Sequence, residues 1–433
     1  MTAPAPTAAA AFVGLSHLGI VSSAAWASQG RRVLAIDPDP SLVQRLRLRD
    51  LPIHEPQLKE LIERGQECLE FSADAARVRE CELVVVARDI PTDERNVSDT
   101  RVVLELVDEI LPHLASGVAL AIMSQVPPGF TRALGERIRS ARPDLAFELY
   151  YWVETLIFGD AVRRALQPER FIVGCADPRA GLAPALQRGL LGFGCPILPM
   201  SYESAELAKT AINLYLIGSV TYANTLADVC QAIGADWSEI VPALRLDRRI
   251  GPAAYLRPGL GIAGGNLERD LVTVQQLCDA RGVDATYLVA LSEHNAHRLN
   301  WVHAALRQRV LDRVPDPTVG VWGLTYKKDT RSTKNSPSLR LVHELEGKAR
   351  VRAWDPAIRP ADLQDRREVV ASAVEALDGA DCLVLMTDWD EFARADLSVI
   401  RSHLRQPLVV DCVGVLEKRR DEMAGLTYVS MGR

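Results

Sequence analysis

The stretch AAFVGLSHLGIVSSAAWASQGRRVLAID, residues 10–37, decides the fold of this chain. Its apolar beginning, Ala10–Leu15, predicts a β-strand, and a helix is predicted over about 18–29. Arg32–Asp37 predicts a second strand. A strand, a helix and another strand in this order are typical of a parallel sheet, because parallel neighbours need a crossover connection.

The turn between the first strand and the helix carries Gly14, Ser16 and Gly19, in the pattern of a dinucleotide-binding loop. In this pattern the start of the helix, near Leu18, faces a pyrophosphate, and a carboxylate at the end of the next strand binds ribose hydroxyls. Asp37 occupies that carboxylate position and favours NAD over NADP. Ser16 stands where the middle glycine is usual. Its side chain crowds the phosphates, but its hydroxyl can donate a hydrogen bond to them. We therefore predict NAD binding here, with an ordinary strand-to-helix turn as the alternative.

The alternation of strands and helices divides the chain into three predicted regions. Residues 1–200 form the NAD-binding region, 201–300 are mostly helical, and 301–433 return to an α/β pattern. Ser204–Ile233 predicts one long helix that Gly234 ends. Further strands are predicted at Glu82–Val86, Val118–Met123, Phe147–Tyr151, Phe171–Val173, Val319–Leu324, Arg350–Asp355, Cys382–Thr387 and Leu408–Val413. The predicted fold class is α/β, with two doubly wound Rossmann-like domains joined by a long central helix and a helical middle.

Composition narrows the classes of function. The 433 residues are 48% hydrophobic and 24% charged, which is typical of globular proteins, and the net charge of −6 disfavours nucleic acid as the main partner. The 8 cysteines lack metal-ligand spacing, so reduced thiols, no metal site and a cytoplasmic location are predicted. The first 30 residues lack the basic start of a signal peptide. The uncharged run Thr210–Ala227 contains several polar residues, which favours a buried helix over a membrane span.

Several stretches, in order along the chain, resemble one enzyme family. SQVPPG at 124–129 resembles STVPPG, and AELAKTAINLYL at 205–216 resembles AELxKxxxNxFL. The segment 247–270 resembles DxRIGxxxLxPGxGFGGSCxxKD, and 323–338 resembles GLxFKxxTDDxRESPS. Shorter similarities are found at Glu55-Pro56, 154–174 and 387–392. The chain thus resembles the UDP-glucose/GDP-mannose dehydrogenase family over nearly its whole length.

This resemblance implies two successive NAD-dependent oxidations that turn a primary alcohol of a nucleotide-sugar into a carboxylate. Lys209 would supply charge or act as a base near the alcohol, and Asn213, one helical turn later, would hold the developing oxyanion. Asp270 would orient water or the lysine. Glu154 would serve as acid or base in the later hydrolysis.

The same resemblance assigns binding roles. Substrate contacts fall on Arg249, Tyr255, Gly264 and Lys327, and further cofactor contacts fall on Ser124 and Lys334. Arg249 would reach the sugar-nucleotide, in many family members from the neighbouring subunit. The family also implies a homodimer formed through the long middle helix. Neither a membrane nor a nucleic acid is an expected partner.

The chain departs from the family pattern most clearly at Asn266, which stands where the family has its nucleophilic cysteine. An amide cannot form a thiohemiacetal or a thioester. Cys278 is the nearest thiol along the chain and falls within the next predicted helix. Phe158 also replaces an expected glutamate, and Val413 replaces an expected arginine. These departures affect the second oxidation more than the first.

We therefore predict oxidation limited to two electrons, giving an aldehyde or ketone. The alternatives are a full four-electron oxidation through an aldehyde hydrate that Asn266 and Glu154 orient, epimerisation with retained NAD, and a non-catalytic paralogue that only binds nucleotide-sugar. Each proposed site residue also has an alternative role that is purely structural. Lys209 would then pair with Glu206, and Glu154 would be a cap or an ion-pair residue. Asp270 is alternatively a helix N-cap, Asn213 a hydrogen-bonded buried amide, and Arg249 part of a solvated basic face.

Overall fold

The computed structural model describes residues 9–363 and 369–433. The chain divides into two compact units, Met1–Ala211 and Ile212–Arg433. Each unit is built around its own sheet and its own hydrophobic core. The fold class predicted from the sequence is confirmed.

The strands and helices of the first unit alternate along most of its length. Its strands are β1 Ala9–Val13, β2 Val33–Ile36, β3 Leu69–Ser72, β4 Cys81–Val86, β5 Val118–Ile122, β6 Phe147–Trp152, β7 Phe171–Cys175 and β8 Ile197–Ser201. Its helices are α1 His17–Ala27, α2 Pro40–Arg47, α3 Leu58–Gly65, α4 Arg101–Ile110, α5 Phe130–Ala141, α6 Ala161–Leu166 and α7 Pro184–Leu191.

The first sheet has the strand order β3-β2-β1-β4-β5-β6-β7-β8. The pairs from β3 to β6 are parallel, as predicted, but β6 and β7 are antiparallel. The chain therefore re-enters the sheet from the end at which β6 leaves it. Every residue of α1 is buried, because this helix packs on the sheet and against α3 and α6. Small and apolar side chains throughout α1 make that burial possible.

Helix α8, Tyr202–Ile233, is the predicted long helix, and it runs from the first unit into the second. Gly234 follows it with φ +75°, the left-handed conformation expected where a helix ends. Glu206 lies fully buried near its start and accepts hydrogen bonds from the backbone N–H groups of Gly129 (2.6 Å) and Thr131 (2.8 Å). Leaving a buried N–H unpaired costs about 1–3 kcal/mol, so Glu206 stabilises the start of α5.

The second unit contains the rest of the helices and a second sheet. Its strands are β9 Thr318–Trp322, β10 Arg350–Trp354, β11 Cys382–Leu385, β12 Leu408–Asp411 and β13 Thr427–Ser430. Its further helices are α9 Trp237–Leu246, α10 Asn266–Arg281, α11 Thr286–Ala296, α12 Leu299–Leu306, α13 Pro337–Glu344, α14 Ala373–Leu377, α15 Asp390–Ala393 and α16 Leu397–His403. The strands run parallel in the order β10-β9-β11-β12-β13, which is a doubly wound sheet.

Three properties of the described residues bear on earlier expectations. None of the helices in the described part of the chain combines the length and hydrophobicity needed to cross a membrane. All eight cysteines are free thiols, and Cys278 lies in α10, as predicted. Within residues 9–363 and 369–433, no group of His, Cys, Asp or Glu side chains is arranged to hold a metal ion.

Candidate functional site

The glycine-rich turn has the backbone of a dinucleotide-binding loop. Gly14 follows β1 with φ +93°, a conformation that favours glycine. A Cβ on Gly19 would lie 1.9 Å from the carbonyl oxygen of Gly14. Only glycine at position 19 therefore lets α1 start this close to the end of β1.

Asp37 lies at the end of β2, as predicted, and its carboxylate is already engaged. Its Oδ2 accepts from the backbone N–H of Leu15 (2.7 Å), and its Oδ1 accepts from the N–H of Asp39 (3.0 Å). The guanidinium of Arg88 donates to Oδ2 at 3.2 Å. Asp37 is 1% exposed, so this carboxylate is a structural anchor of the loop as well as a candidate ribose ligand.

The second unit repeats this arrangement. Leu324 follows the positive-φ Gly323 after β9, and its N–H donates to Asp355 Oδ2 at 2.7 Å. Asp355 Oδ1 accepts from the N–H two residues later, at 2.8 Å. The indole of Trp389, after β11, donates to Asp355 Oδ2 at 3.3 Å, where the first unit uses Arg88. The two α/β units thus share one way of fixing the turn after their first strand.

The start of α1 is occupied by a side chain of the protein itself. The backbone N–H of Leu18 donates to Asp89 Oδ2 at 3.1 Å, and the N–H of Asp89 donates to the Ser16 hydroxyl at 2.8 Å. Ser16 in turn donates to the carbonyl of Ala87. The hydroxyl that was expected to meet a phosphate therefore holds the residues that follow β4.

Two other residues support this region. Ser124 is buried, and its hydroxyl accepts from the N–H of Arg88 at 3.0 Å, so it fixes the chain after β4. His17, which comes just before the helix predicted over about 18–29, is the buried first residue of α1, with Nε2 2.8 Å from Glu55 Oε2. Burial opposes ionisation of Glu55, but hydrogen bonds from His17 and two backbone N–H groups outweigh it and lower the pKa of that carboxyl. The His17 ring lies 4.2 Å from that of Phe158.

The first unit fits a dinucleotide on most counts. The Gly14 turn, the close approach at Gly19 and Asp37 beside the loop are what a pyrophosphate and a ribose require, whereas Asp89 occupies an N–H group at the helix start. When bound, NAD supplies a hydride acceptor. Sequence reasoning did not single out Arg88 or Asp89, although two charged residues directly after a buried strand are a visible signal.

Lys209 and Glu154 form an ion pair within the first unit. Lys209 Nζ lies 2.8 Å from Glu154 Oε1, and the two side chains are 11% and 16% exposed. Glu154 Oε2 also accepts from the N–H of Leu156 at 2.9 Å. Lys209 therefore pairs with Glu154 and not with Glu206, so the alternative pairing considered from the sequence is wrong. Two of the predicted catalytic residues are in direct contact.

Asn213 and Asp270 form a second contact, within the second unit. The Asn213 amide donates to Asp270 Oδ2, and Arg269 Nε lies 3.2 Å from Asp270 Oδ1. Asp270 is 2% exposed and is the fifth residue of α10, so the N-cap reading of this residue is wrong. The hydrogen bond fixes the orientation of the Asn213 side chain, whose second Nδ2 hydrogen remains a candidate donor to an oxyanion.

Asn266 is the first residue of α10 and is exposed. Gly264 and Gly265 precede it with φ +93° and +91°. A Cβ on Gly264 would lie 2.3 Å from the Tyr326 ring, so only glycine fits beneath that aromatic side chain. The Lys334 side chain passes close to Gly265 in the same way. The structure thus brings together two of the family-like motifs, 247–270 and 323–338.

Glu268 strengthens this loop. Its Oε2 accepts from the N–H of Gly265 at 2.9 Å, and its Oε1 accepts from the Asn335 amide at 3.2 Å. Burial raises the pKa of the Glu268 carboxyl. Burial also raises the pKa of the neighbouring Tyr326 phenol to about 12, so Tyr326 stays neutral at physiological pH.

The predicted substrate residues outside this loop lie at the surface of the second unit. Arg249 is exposed and donates to Asp247 at 3.0 and 2.6 Å. Tyr255 is half exposed. Lys327 Nζ lies 5.7 Å from the centre of the Tyr326 ring. In the single chain Arg249 therefore lies at the solvent-exposed surface, which is the alternative to substrate binding that was considered from the sequence.

A cavity of about 640 Å³ opens at the carboxyl ends of β11, β12 and β13. Ligands of open parallel sheets bind at this end of the strands. Arg257 lies in the cavity, donates to the carbonyl of Val413 and pairs with Asp388 at 3.2 Å. A guanidinium thus reaches the position where Val413 replaces the arginine of the family pattern. The other cationic side chains that line the cavity are Arg245, Lys328, Lys418 and Arg433.

Three models of one family match the chain. They are described as the NAD binding domain, the central domain and the UDP binding domain of the UDP-glucose/GDP-mannose dehydrogenase family, and they cover residues 8–188, 203–297 and 320–418. The fold and the site define a dinucleotide-dependent dehydrogenase with a second, nucleotide-binding α/β unit.

Full-length relatives agree with this class. UDP-glucose 6-dehydrogenase TuaD of Bacillus subtilis is 27% identical over 432 residues, which span 98% of this chain and 93% of the relative. UDP-glucose 6-dehydrogenase of Pseudomonas aeruginosa is 29% identical, over 97% of this chain and 96% of the relative. The solved structure of a UDP-glucose dehydrogenase from Pyrobaculum islandicum is 26% identical and has a TM-score of 0.87 over 99% of both chains.

The chain belongs to the UDP-glucose/GDP-mannose dehydrogenase family. Enzymes of this family use NAD to oxidise CH–OH groups of nucleotide-sugars. The resemblance inferred from the sequence motifs is therefore confirmed, and NAD is the cofactor of the first unit's domain.

Proposed function

We propose that this chain oxidises one hydroxyl of a nucleotide-sugar in a single two-electron step, and that the product is an aldehyde or a ketone. One observation carries the proposal. The half-buried Lys209–Glu154 contact and the buried Asn213–Asp270 contact, which suit alcohol oxidation, support it, together with Asn266 at the start of α10, where the family motif has a cysteine. A secondary alcohol suits this set of residues, because a ketone product needs no covalent capture.

The chemistry assigned to the chain concerns the hydroxyl oxygen. As the C–H bond breaks, that oxygen must lose its proton and is stabilised by nearby donors. The Lys209 ammonium, held by Glu154, supplies positive charge for it. Asn213, oriented by Asp270, supplies an amide donor one helical turn further along α8. The hydroxyl proton passes to the Glu154 carboxylate, and NAD, when bound, would accept the hydride.

The nucleotide half of the substrate is assigned to the second unit. Residues 320–418 match the UDP binding domain of the family, and Arg257 places a guanidinium at the mouth of the cavity beside Val413. Lys327 and Tyr255 are proposed to contact the same ligand. A guanidinium forms charge-assisted hydrogen bonds to phosphate oxygens, so a diphosphate is the chemical group this region suits.

A second candidate function is a binding protein without turnover. The observation that favours it is the occupation of the α1 start by Asp89, which competes with a dinucleotide pyrophosphate. In this case the chain binds the nucleotide-sugar through its second unit and reduces no cofactor. Epimerisation with retained NAD and four-electron oxidation through a hydrate differ from both in their products.

The test is a reduction assay with the purified chain, NAD and a panel of UDP- and GDP-sugars, read by cofactor absorbance and by product mass. The expected result is one NADH for each sugar oxidised, with a product two hydrogens lighter than the substrate. Two NADH for each sugar supports the hydrate route instead. Conversion to an isomer without net NADH supports epimerisation. Nucleotide-sugar binding with no reduction for any member of the panel rejects the redox proposal in favour of the binding protein.

We also infer that the chain forms a homodimer through α8. Tyr215, Tyr222 and Val229 recur every seventh residue along this helix, and each side chain is at least 47% exposed in the single chain. Ile233 extends the same stripe and is 72% exposed. A stripe of this spacing suits packing against a second helix.

Sedimentation velocity should therefore report a dimer for the native chain and a monomer for the double variant Tyr215→Glu, Val229→Glu. Leu48→Glu, which changes an equally exposed apolar residue on the first unit, should stay dimeric. A native chain that sediments as a monomer at micromolar concentration rules out this interface.

A cytoplasmic location is proposed from the eight free thiols.

A further inference from the structure

We propose that Asp89 is an internal competitor for the pyrophosphate of the dinucleotide, and that Arg88 is a strap across the adenosine side of the same crevice. The dinucleotide then binds only after the residues following β4 have moved. This inference rests on the proposed function, since it presumes that the first unit binds a dinucleotide. It adds a residue-level control of affinity that belongs to this chain's own sequence.

The competition follows from the position of the Asp89 carboxylate. The N–H of Leu18 is one of the first N–H groups of α1, which have no partner inside the helix. Asp89 Oδ2 accepts from it at 3.1 Å. A pyrophosphate oxygen uses these same N–H groups and the same positive end of the helix. Two anions cannot share that position, so one must displace the other.

The strap follows from the strand order. Arg88 comes after β4, and Asp37 comes after β2, while β1 lies between these strands in the sheet. Neighbouring strands are about 4.8 Å apart, so the Arg88 side chain must cross the end of β1 to reach Asp37 Oδ2 at 3.2 Å. A Cβ on Gly14, at the end of β1, would lie 3.1 Å from the Cβ of Arg88. Arg88 therefore passes directly over the turn that a bound ribose would cover.

The two contacts are exchangeable. Asp89 is exposed, and Arg88 keeps 38% of its side-chain surface accessible, so both can move without opening the core. When a phosphate displaces Asp89, the N–H groups at the start of α1 donate to phosphate oxygens instead, so they remain hydrogen-bonded. Arg88 can then pair with the phosphate, because its guanidinium is an anion-binding group. In the second unit the matching donor to Asp355 is the indole N–H of Trp389. An indole carries no charge, so it does not attract a phosphate as a guanidinium does.

The test measures ligand affinity directly, by calorimetric titration of the full-length protein with NAD, ADP-ribose and adenosine. Asp89→Ser and Asp89→Asn should bind NAD and ADP-ribose about tenfold more tightly than the native chain, because the competing charge is gone. Adenosine affinity should be unchanged, because adenosine has no phosphate. Glu94→Gln, which removes an exposed carboxylate from the same segment, is the matched control and should leave all three affinities unchanged.

A second measurement separates competition from loosening of the structure. Without ligand, both Asp89 variants should melt at a lower temperature than the native chain, because α1 loses the carboxylate at its start. Tighter NAD binding together with a lower melting temperature supports the proposal. Equal NAD affinity in the native chain and both variants overturns it and leaves the proposed oxidation standing. Absence of NAD binding in all of them overturns this inference and the redox function together, and a gain that extends to adenosine shows that phosphate competition is not the cause.

Discussion

Lys209→Met should lower kcat for nucleotide-sugar oxidation by about a thousandfold, the range that a general acid–base group or an oxyanion donor contributes. Lys209 Nζ carries the charge proposed to stabilise the hydroxyl oxygen, and it is held 2.8 Å from Glu154. Methionine has a similar length but has no charge and no proton. Substrate affinity should change much less than kcat, because the nucleotide contacts are proposed to lie in the second unit, which matches the family's UDP binding domain.

The comparison needs variants that separate charge from folding. Lys59→Met, at an exposed position of α3, is the matched control and should keep full activity. Lys209→Met leaves the Glu154 carboxylate, which is 16% exposed, without its cation, and this should also lower stability. The double variant Lys209→Met, Glu154→Gln should recover stability without recovering kcat. If Lys209→Met keeps kcat within a few-fold of the native value, the pair is structural and the assigned role is wrong.

The strands that sequence patterns predicted include all those with long apolar runs. β1, β4 and β5 are interior strands covered on both faces, so they are continuously hydrophobic and easily detected. The strands that the sequence analysis did not predict, β3, β8 and β13, all lie at sheet edges. β3 and β13 are four residues long, and β8 contains Pro199. Short, partly polar edge strands give little periodic signal, because only one side is paired.

The candidate site was likewise predicted only in part: the sequence suggested the residues but not their partners. The resemblance to the family motifs predicted Lys209, Asn213 and Asp270 as site residues, but it did not predict their partners. Glu154 meets Lys209 across 55 positions of sequence, and Asn213 meets Asp270 across 57, so both contacts depend on the tertiary fold. Local rules had suggested a nearer partner for Lys209 and a capping role for Asp270. Burial of the long helix decided against the first of these, since Glu206 is used by the start of α5.

Asn266→Cys should convert a single oxidation into two. A cysteine at the first position of α10 lies at a helix start, where the macrodipole favours the thiolate. That thiolate can add to the carbonyl carbon of an aldehyde product and form a thiohemiacetal. Loss of a second hydride to a second NAD gives a thioester, and water then releases the carboxylate and the thiol. The measured ratio of NADH to sugar should rise from one towards two, with acid detected by mass.

Two companion variants make this result specific. Asn266→Ser introduces a hydroxyl that is a much weaker nucleophile at this position, so it should keep the ratio at one. Cys278→Ser in the Asn266→Cys background should still produce acid, because Cys278 lies within α10 and is packed against an apolar cluster. If the substrate is a secondary alcohol, the ketone product has no second hydride to lose, and the variant should then trap it reversibly and slow turnover. A folded Asn266→Cys variant that receives an aldehyde and yields no acid would show that the missing thiol alone does not block the second step. Phe158, which lies beside His17 and replaces the expected glutamate, would then be the next residue to test.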